Sequence, residues 1–330
     1  MLQTILVPIG VVGGLGLLYG FGLAIASKKF SVEIDPRVEQ ILEVLPGANC
    51  GSCGMPGCAG FAEAIVAGTA PINACAPGGA DVVSLIAGIM GQTATISERE
   101  VAYIHCASGG TNTTKYKYHY QGIQTCKAAV NVSQGHNLCT YGCVGLNDCF
   151  VACKFDAITI DENNQRVINE EKCTGCGACV IACPRHLIEL IPVSKVVRIK
   201  CSSHDFGALP KQVCGAGHPC IGCGICAKNC PVDAITIQDQ LAVIDYTKCI
   251  NCGICAAKCP TKAIEDALLG KRKKAEIIDG KCIGCTICAK ACPVQAISGN
   301  LKEVHKVDQD KCIGCGVCIT KCPKDAIEMK

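Results

Sequence analysis

No G-x-G-x-x-G joins a strand to a helix in this chain, so the dinucleotide-binding fingerprint is missing. No nucleophile–base constellation is evident either, and the seven histidines (His105, His119, His136, His186, His204, His218 and His305) stand singly as ordinary surface or core residues. A sustained basic stripe is absent, which argues against nucleic acid as a partner. The one dense basic run, Lys271-Arg272-Lys273-Lys274, reads as a solvated loop, with a docking patch for an acidic redox partner as the sharper alternative. Charge is also missing from Leu2 to Ser27. These absences leave no nucleotide fingerprint and no evident nucleophilic site, and they weaken any nucleic-acid reading.

Cysteine is what the chain has: 32 in 330 residues. Five runs follow C-x2-C-x2-C-x3-C with proline next: Cys173/Cys176/Cys179/Cys183, Cys220/Cys223/Cys226/Cys230, Cys249/Cys252/Cys255/Cys259, Cys282/Cys285/Cys288/Cys292 and Cys312/Cys315/Cys318/Cys322. This is the ligand run of bacterial-type [4Fe–4S] ferredoxins, and electron transfer is the chemistry it serves. Disulfide frameworks do not repeat as three cysteines in seven residues, and structural zinc uses pairs separated by longer loops. Such clusters assemble where thiols stay reduced, which assigns the cysteine-rich part to the cytoplasm. The formal charge of +3 describes the apo chain. Four thiolates around an oxidised core carry about −2, so seven clusters would bring the total to about −11.

The uncharged stretch is long enough to cross a bilayer, and Lys28 and Lys29 follow it at once. The positive-inside rule then leaves the N-terminus outside and the remainder in the cytoplasm. A cleaved signal peptide is the competing reading, but the basic n-region is missing. Gly10/Gly14 and Gly16/Gly20 would let a neighbouring helix approach closely. A single span without an ionisable residue forms no ion pathway, so any coupling to ion transport belongs to partner subunits.

After a connector from Ser31, Pro36 starts a helix with Val38, Ile41, Leu42 and Leu45 on one face. Cys50, Cys53, Cys58 and Cys75 come next, spaced C-x2-C-x4-C-x16-C, with three of them on a glycine-rich loop able to wrap a cluster. Zinc is the alternative for this set. From Cys139 the chain repeats every thirty residues or so: a cysteine run, a short helix, then two strands. Gaps from last to first cysteine are 20, 19 and 20 positions at Cys153–Cys173, Cys230–Cys249 and Cys292–Cys312, against 37 and 23 elsewhere. The short gaps mark the insides of three two-cluster modules.

The expected architecture is α+β. It comprises a transmembrane anchor (1–29), a four-cysteine domain (30–90), a connecting region (91–135), module 1 (136–200), a linker (201–219), module 2 (220–268) and module 3 (269–330). The fourth cysteine of each run ligates the other cluster of its module. That gives Cys220/Cys223/Cys226/Cys259 with Cys249/Cys252/Cys255/Cys230, and Cys282/Cys285/Cys288/Cys322 with Cys312/Cys315/Cys318/Cys292. Module 1 departs from the pattern, with Cys139, Cys143, Cys149 and Cys153, and Lys154 where proline is expected. Its expected sets are Cys139/Cys143/Cys149/Cys183 and Cys173/Cys176/Cys179/Cys153. Cys106, Cys126, Cys201 and Cys214 are left over; they either ligate an eighth cluster or remain thiols.

An uncharged span, the run Leu45-Pro46-Gly47-Ala48-Asn49-Cys50-Gly51-Ser52-Cys53-Gly54-Met55-Pro56-Gly57-Cys58 with Cys75, and then ferredoxin runs: this order resembles the B subunit of Rnf-type electron-transport complexes, in the long form with three ferredoxin modules. These are membrane-bound ferredoxin:NAD+ oxidoreductases. The resemblance covers essentially the whole chain. It implies a protein that takes electrons from reduced soluble ferredoxin and passes them through seven, or eight, [4Fe–4S] clusters towards membrane partners, within a complex that moves Na+ or H+. Flavin and the NAD site would belong to other subunits. The runner-up is a membrane-anchored polyferredoxin serving a different oxidoreductase.

Overall fold

The computed structural model describes residues 2–29, 35–95 and 98–330, with side chains of the first helix from Val12 onward. The connector expected from Ser31 falls in part on 30–34, outside the described residues. Helix α1 is Leu2–Lys29, 28 residues ending in Lys28 and Lys29. Its described apolar side chains, among them Leu17, Leu18, Phe21 and Leu23, are exposed on every side. Among the described residues, no helix is long and apolar enough to cross a membrane.

Helices α2 (Pro36–Val44), α3 (Gly57–Val66) and α4 (Gly79–Met90) form the four-cysteine domain. Pro36 needs no donor at the first helical position, and Asp35 caps α2 by accepting from the Arg37 amide. Ile41, Leu45, Phe61, Ile65 and Ile86 make its core together with Cys75. Leu42, expected on the buried face of α2, is instead exposed. The core needs only the two positions four apart, Ile41 and Leu45, because α3 and α4 close over that side.

Three modules of one design follow. In module 1, β1 (Glu100–Ile104) pairs antiparallel with β4 (Ile188–Pro192), while β2 (Ile158–Ile160) and β3 (Arg166–Ile168) form a hairpin. Module 2 repeats this with β5 (Val197–Ile199) against β8 (Ile264–Asp266), and β6 (Ile235–Gln238) against β7 (Leu241–Ile244). In module 3, β9 (Ala275–Ile277) pairs with β12 (Ile327–Met329), and β10 (Ile297–Ser298) with β11 (Lys306–Val307). Each module also carries two short helices, each holding the third cysteine of a run: α6 (Asp148–Ala152) and α7 (Ala178–Ala182), α9 (Ile225–Lys228) and α10 (Ile254–Lys258), α11 (Ile287–Ala291) and α12 (Val317–Thr320). Two further helices, α5 (Cys126–Val130) and α8 (Leu209–Val213), lie between an entering strand and a first run.

The strand pairing draws the modules wider than the cysteine spacing does. The expected connecting region contributes β1 to module 1, β5 inside 136–200 belongs to module 2, and the expected linker 201–219 lies within module 2. A run is recognisable by its cysteines, whereas an entering strand is recognised only by the partner it meets at the far end of the module.

The modules are tied by buried charge. Arg198 on β5 pairs with Glu170 of module 1 and stacks over the Tyr103 ring at 5.2 Å. Asp266 and Arg272 form a two-point pair, Nε to Oδ2 at 3.0 Å and Nη2 to Oδ1 at 2.7 Å, in the turn joining modules 2 and 3. The Asp266 side chain is 1% exposed and that of Arg272 12%. The basic run is expected to be a solvated loop; Arg272 departs from that and is a structural cation.

Candidate iron–sulfur sites

The backbone winds the same way at six places. Taking Cys173, Cys220, Cys249, Cys282 and Cys312 as first cysteines, the residues two and four positions on have positive φ: Gly175 and Gly177, Gly222 and Gly224, Asn251 and Gly253, Gly284 and Thr286, Gly314 and Gly316. Three residues past each fourth cysteine comes another left-handed residue: His186, Asp233, Lys262, Gln295 and Asp325. This αR–αL alternation turns successive amides to one side and makes a concavity for an anionic group. The amides of Leu187, Ala234, Ala263, Ala296 and Ala326 donate to the sulfurs of Cys183, Cys230, Cys259, Cys292 and Cys322 at 3.2–3.4 Å. An amide aimed at sulfur favours the thiolate over the thiol.

The same winding fixes the register of the irregular run. Gly145, Asn147 and Asp156 have φ of 84°, 69° and 50°. Counting back, Cys143 stands at the first position, Leu146 at the second, Cys149 at the third and Cys153 at the fourth. Cys139 lies upstream of the run. In this register Cys139 stands apart from the run that holds Cys143 and Cys149. Cys126 takes the empty place: Asp148 of α6 accepts from the Cys126 and Lys127 amides at 2.9 and 3.1 Å, holding the start of α5 against the run. Cys126, Cys143, Cys149 and Cys183 line one cavity of ≈ 430 Å³.

Cysteines of the regular runs also gather around cavities. Cys153, Cys173, Cys176 and Cys179 line a cavity of ≈ 340 Å³, Cys282, Cys285, Cys288 and Cys322 another of ≈ 340 Å³, and Cys292, Cys312, Cys315 and Cys318 one of ≈ 330 Å³. Cys226 lies within electrostatic reach of Cys220, Cys223 and Cys259. Cys252 has Cys230 and Cys249 as neighbours, and Cys255 has Cys249 and Cys252. Cys75 is brought to Cys50, Cys53 and Cys58. In that loop Asn49 Oδ1 accepts from the Cys58 amide at 2.8 Å, and a Cβ on Gly57 would fall 2.7 Å from the same oxygen. Only glycine fits there. Of the leftovers, Cys106, Cys201 and Cys214 gather around Cys139 rather than around Cys126.

Burial pushes these thiols up, Cys149 and Cys255 to about 12, and Cys179, Cys226 and Cys318 to about 11. Neighbouring cysteines push the same way, so four clustered thiolates need a core of positive charge between them. Among the described residues no group of three or more His, Cys, Asp or Glu side chains could hold a single metal ion. Sulfurs around one zinc lie about 3.8 Å apart. Cavities ringed by cysteines on αR–αL loops suit a polynuclear iron–sulfur core.

Three further side chains, among them His305, expected to be an ordinary surface or core residue, lie near the sites. Arg166 is buried in module 1, donating to the Gly109 and Gly145 carbonyls and lying 3.9 Å from Cys143 Sγ. Arg185 donates to the Cys139 carbonyl at 3.2 Å and feels the charges of Cys106, Cys139, Cys143 and Cys183. His305 is 1% exposed, with Nδ1 4.0 Å from Cys282 Sγ. Nothing in their sequence context marks them, because each is brought to its cysteines by a different element.

Sequence-family profiles described as "4Fe-4S dicluster domain" match residues 219–264, 242–298 and 275–329; a "4Fe-4S binding domain" matches 166–189, and a "Putative Fe-S cluster" profile matches 45–77. The chain is 45% identical over 248 residues to the B subunit of the Na+-translocating ferredoxin:NAD+ oxidoreductase complex of Acetobacterium woodii, covering 75% of this chain and 74% of the relative. To the B subunit of the ion-translocating oxidoreductase complex of Methanosarcina acetivorans it is 44% identical over 266 residues, covering 80% and 99%. To the B subunit of the proton-translocating ferredoxin:NAD+ oxidoreductase complex of Clostridium ljungdahlii it is 39% identical over 245 residues, covering 74% and 85%. Among solved structures, a chain of the formate dehydrogenase–heterodisulfide reductase–formylmethanofuran dehydrogenase complex of Methanospirillum hungatei aligns over 56% of this chain and 74% of that one, with 24% identity and a TM-score of 0.27, too distant to bear on the fold. With three such relatives matched over most of their length, and the cysteine loops formed as their chemistry requires, this chain belongs to the family of B subunits of ion-translocating ferredoxin:NAD+ oxidoreductase complexes of the Rnf type.

Proposed function

We propose that this chain takes electrons from reduced soluble ferredoxin and relays them to membrane-embedded partner subunits, which couple the flow to Na+ or H+ movement. The observation that carries this reading is that cysteine sets of successive units abut. Cys315 of module 3 is a charge neighbour of Cys252 of module 2, across a shared apolar contact of Ile254, Val317 and Ile313. At the other end, Cys75 lines one cavity with Thr174 and Gly175 of module 1, and Lys154 reaches the Asn49 carbonyl at 3.5 Å. Bound [4Fe–4S] clusters supply one-electron carriage.

The chain's own residues hold and tune those groups. Thirty-two cysteines provide the ligands, of which we assign Cys50/Cys53/Cys58/Cys75, Cys126/Cys143/Cys149/Cys183, Cys173/Cys176/Cys179/Cys153 and the four sets of modules 2 and 3 to seven clusters. Loop amides donate to sulfur, and Arg166 and Arg185 place positive charge beside the first set of module 1. Helix α1 is assigned as the membrane anchor. Its 28 residues span about 42 Å, the stretch Leu2–Ser27 carries no charge, and its described apolar side chains face outward all round. That anchor puts the Cys50 set nearest the membrane and leaves modules 2 and 3 for ferredoxin.

Anaerobically isolated membranes containing the complex should reduce NAD+ with reduced ferredoxin. Changing Cys285 or Cys315 to Ser should lower that rate at least tenfold while the complex stays assembled. Loss of assembly with a different oxidoreductase co-purifying would favour the membrane-anchored polyferredoxin instead. An unchanged rate in both variants would sink the relay through module 3.

A further inference from the structure

Modules 1 and 2 share a feature that module 3 lacks. In module 3 the entering strand β9 ends at Ile277, and the first run starts at Cys282. In module 1 the corresponding stretch is 105–142, and in module 2 it is 200–219. Outside the repeated runs and the Cys50 domain, the remaining cysteines, Cys106, Cys126, Cys139, Cys201 and Cys214, all lie in these two insertions, and Cys126 is assigned to the first set of module 1.

Their placement is pseudo-symmetric. Cys106 lies two residues past the end of β1, and Cys201 two residues past the end of β5. Cys106 Sγ accepts from the Ser108 amide at 3.4 Å, and Cys201 Sγ from the Ser203 amide at 3.4 Å. Each sulfur also accepts from the amide of the first cysteine of the run that follows: Cys143 to Cys106 at 3.3 Å, and Cys220 to Cys201. The two strand ends run side by side, with the Ala107 amide donating to the Lys200 carbonyl at 3.2 Å and Ser202 Oγ to the His105 carbonyl at 2.9 Å.

The remaining two cysteines come from the far ends of the same insertions. Cys214 closes α8, and that helix is held against the 108–115 loop: Lys115 Nζ donates to the Gln212 carbonyl at 2.7 Å, and a Cβ on Gly215 would sit 2.5 Å from the Thr113 carbonyl oxygen. Cys139 is fixed through its carbonyl by Arg185, and Tyr141 meets His204 edge-on at 5.3 Å across the junction. Cys139 is a charge neighbour of Cys106, Cys201 and Cys214 alike.

We propose that Cys106, Cys139, Cys201 and Cys214, two from each insertion, ligate an eighth [4Fe–4S] cluster at the junction of modules 1 and 2. Two amides point at each of Cys106 and Cys201, where one points at the fourth sulfur of each regular run. The assignment uses all 32 cysteines, because the other seven sets account for 28. It also gives the site a position in the relay, and this last point rests on the proposed function. Cys201 touches the first cysteine of module 2, Cys220, and Cys106 touches the first cysteine of module 1, Cys143. The series of abutting cysteine sets then runs without a gap from module 3 to the Cys50 loop.

The test uses the full chain purified anaerobically in its complex. Native mass spectrometry of the wild-type protein should give the mass of eight bound clusters, about 32 iron atoms with as many sulfides. Cys106→Ser, Cys139→Ser, Cys201→Ser and Cys214→Ser should each remove about four irons and the same low-temperature EPR signal, while Cys126→Ser removes a different one. Seven clusters in the wild type would overturn the proposal, as would Cys139→Ser and Cys126→Ser abolishing one and the same signal. Both readouts are independent of NAD+ reduction, so a failure of the relay reading leaves this result separate.

Discussion

At the scale of single residues, Leu146 explains why module 1 looks irregular. It occupies the place of a second cysteine, on a loop whose left-handed Gly145 and Asn147 are those of a regular run, and it packs beside Cys126, Val144 and Ala129. A cysteine at 146 should therefore reach the same core that Cys126 reaches from α5. Cys126→Ala is expected to lose one cluster, and the double change Cys126→Ala with Leu146→Cys to regain it, read by iron content and EPR. Arg185 offers a second residue-level test. Its guanidinium is kept below its ordinary pKa by burial, yet it remains a cation among four cysteines, and a positive charge favours the reduced, more negative state of a nearby cluster. A unit charge about 10 Å away at an effective dielectric near 20 contributes about 1.7 kcal/mol, or ~70 mV. Arg185→Met should lower the potential of a cluster in module 1 by that order in an EPR-monitored redox titration, and leave module 3 unchanged.

Among the elements, the entering strands and the turns between modules matter most. Each entering strand pairs with the last strand of its module, so a module closes only when its full length is made. The turn after β8 shows how neighbouring modules are then held in one orientation. Asp266 is buried against Gly253, where a Cβ would lie 2.3 Å from its Oδ2, and Arg272 is its charge partner. Removing one member of such a pair leaves an uncompensated buried charge, at a cost of about 3–5 kcal/mol. Arg272→Met should therefore open the turn at 267–274 to protease at a rate more than tenfold above wild type, and Asp266→Asn added to it should restore part of the protection. Protection unchanged in the single variant would show that the pair does not hold the junction.

For the whole molecule, the arrangement is a series: helix α1, a four-cysteine domain beside module 1, and three modules joined through buried arginines and shared apolar contacts. Deleting residues 1–29 should release the chain into the soluble fraction with its iron content unchanged, because no described contact of α1 enters the cores of the other units. Iron lost along with the anchor would mean that α1 also supports the Cys50 domain. The sequence was sufficient for the regular runs, since their first three ligands lie within seven residues and their loops need glycine, asparagine or threonine at set places. The expected fourth-cysteine swap, too, rests on a spacing that repeats with the module. Even the register of the irregular run was written in Cys143-Val144-Gly145-Leu146-Asn147-Asp148-Cys149, whose small or turn-forming residues match Cys249-Ile250-Asn251-Cys252-Gly253-Ile254-Cys255. Counting cysteines alone passed over it. What only the tertiary structure decided is which distant cysteines meet: Cys126 with the run of module 1, and Cys139 with Cys106, Cys201 and Cys214. Those pairings depend on where insertions of unrelated length fold back and on how two modules pack across Arg198, and no local spacing encodes a contact made between separate units.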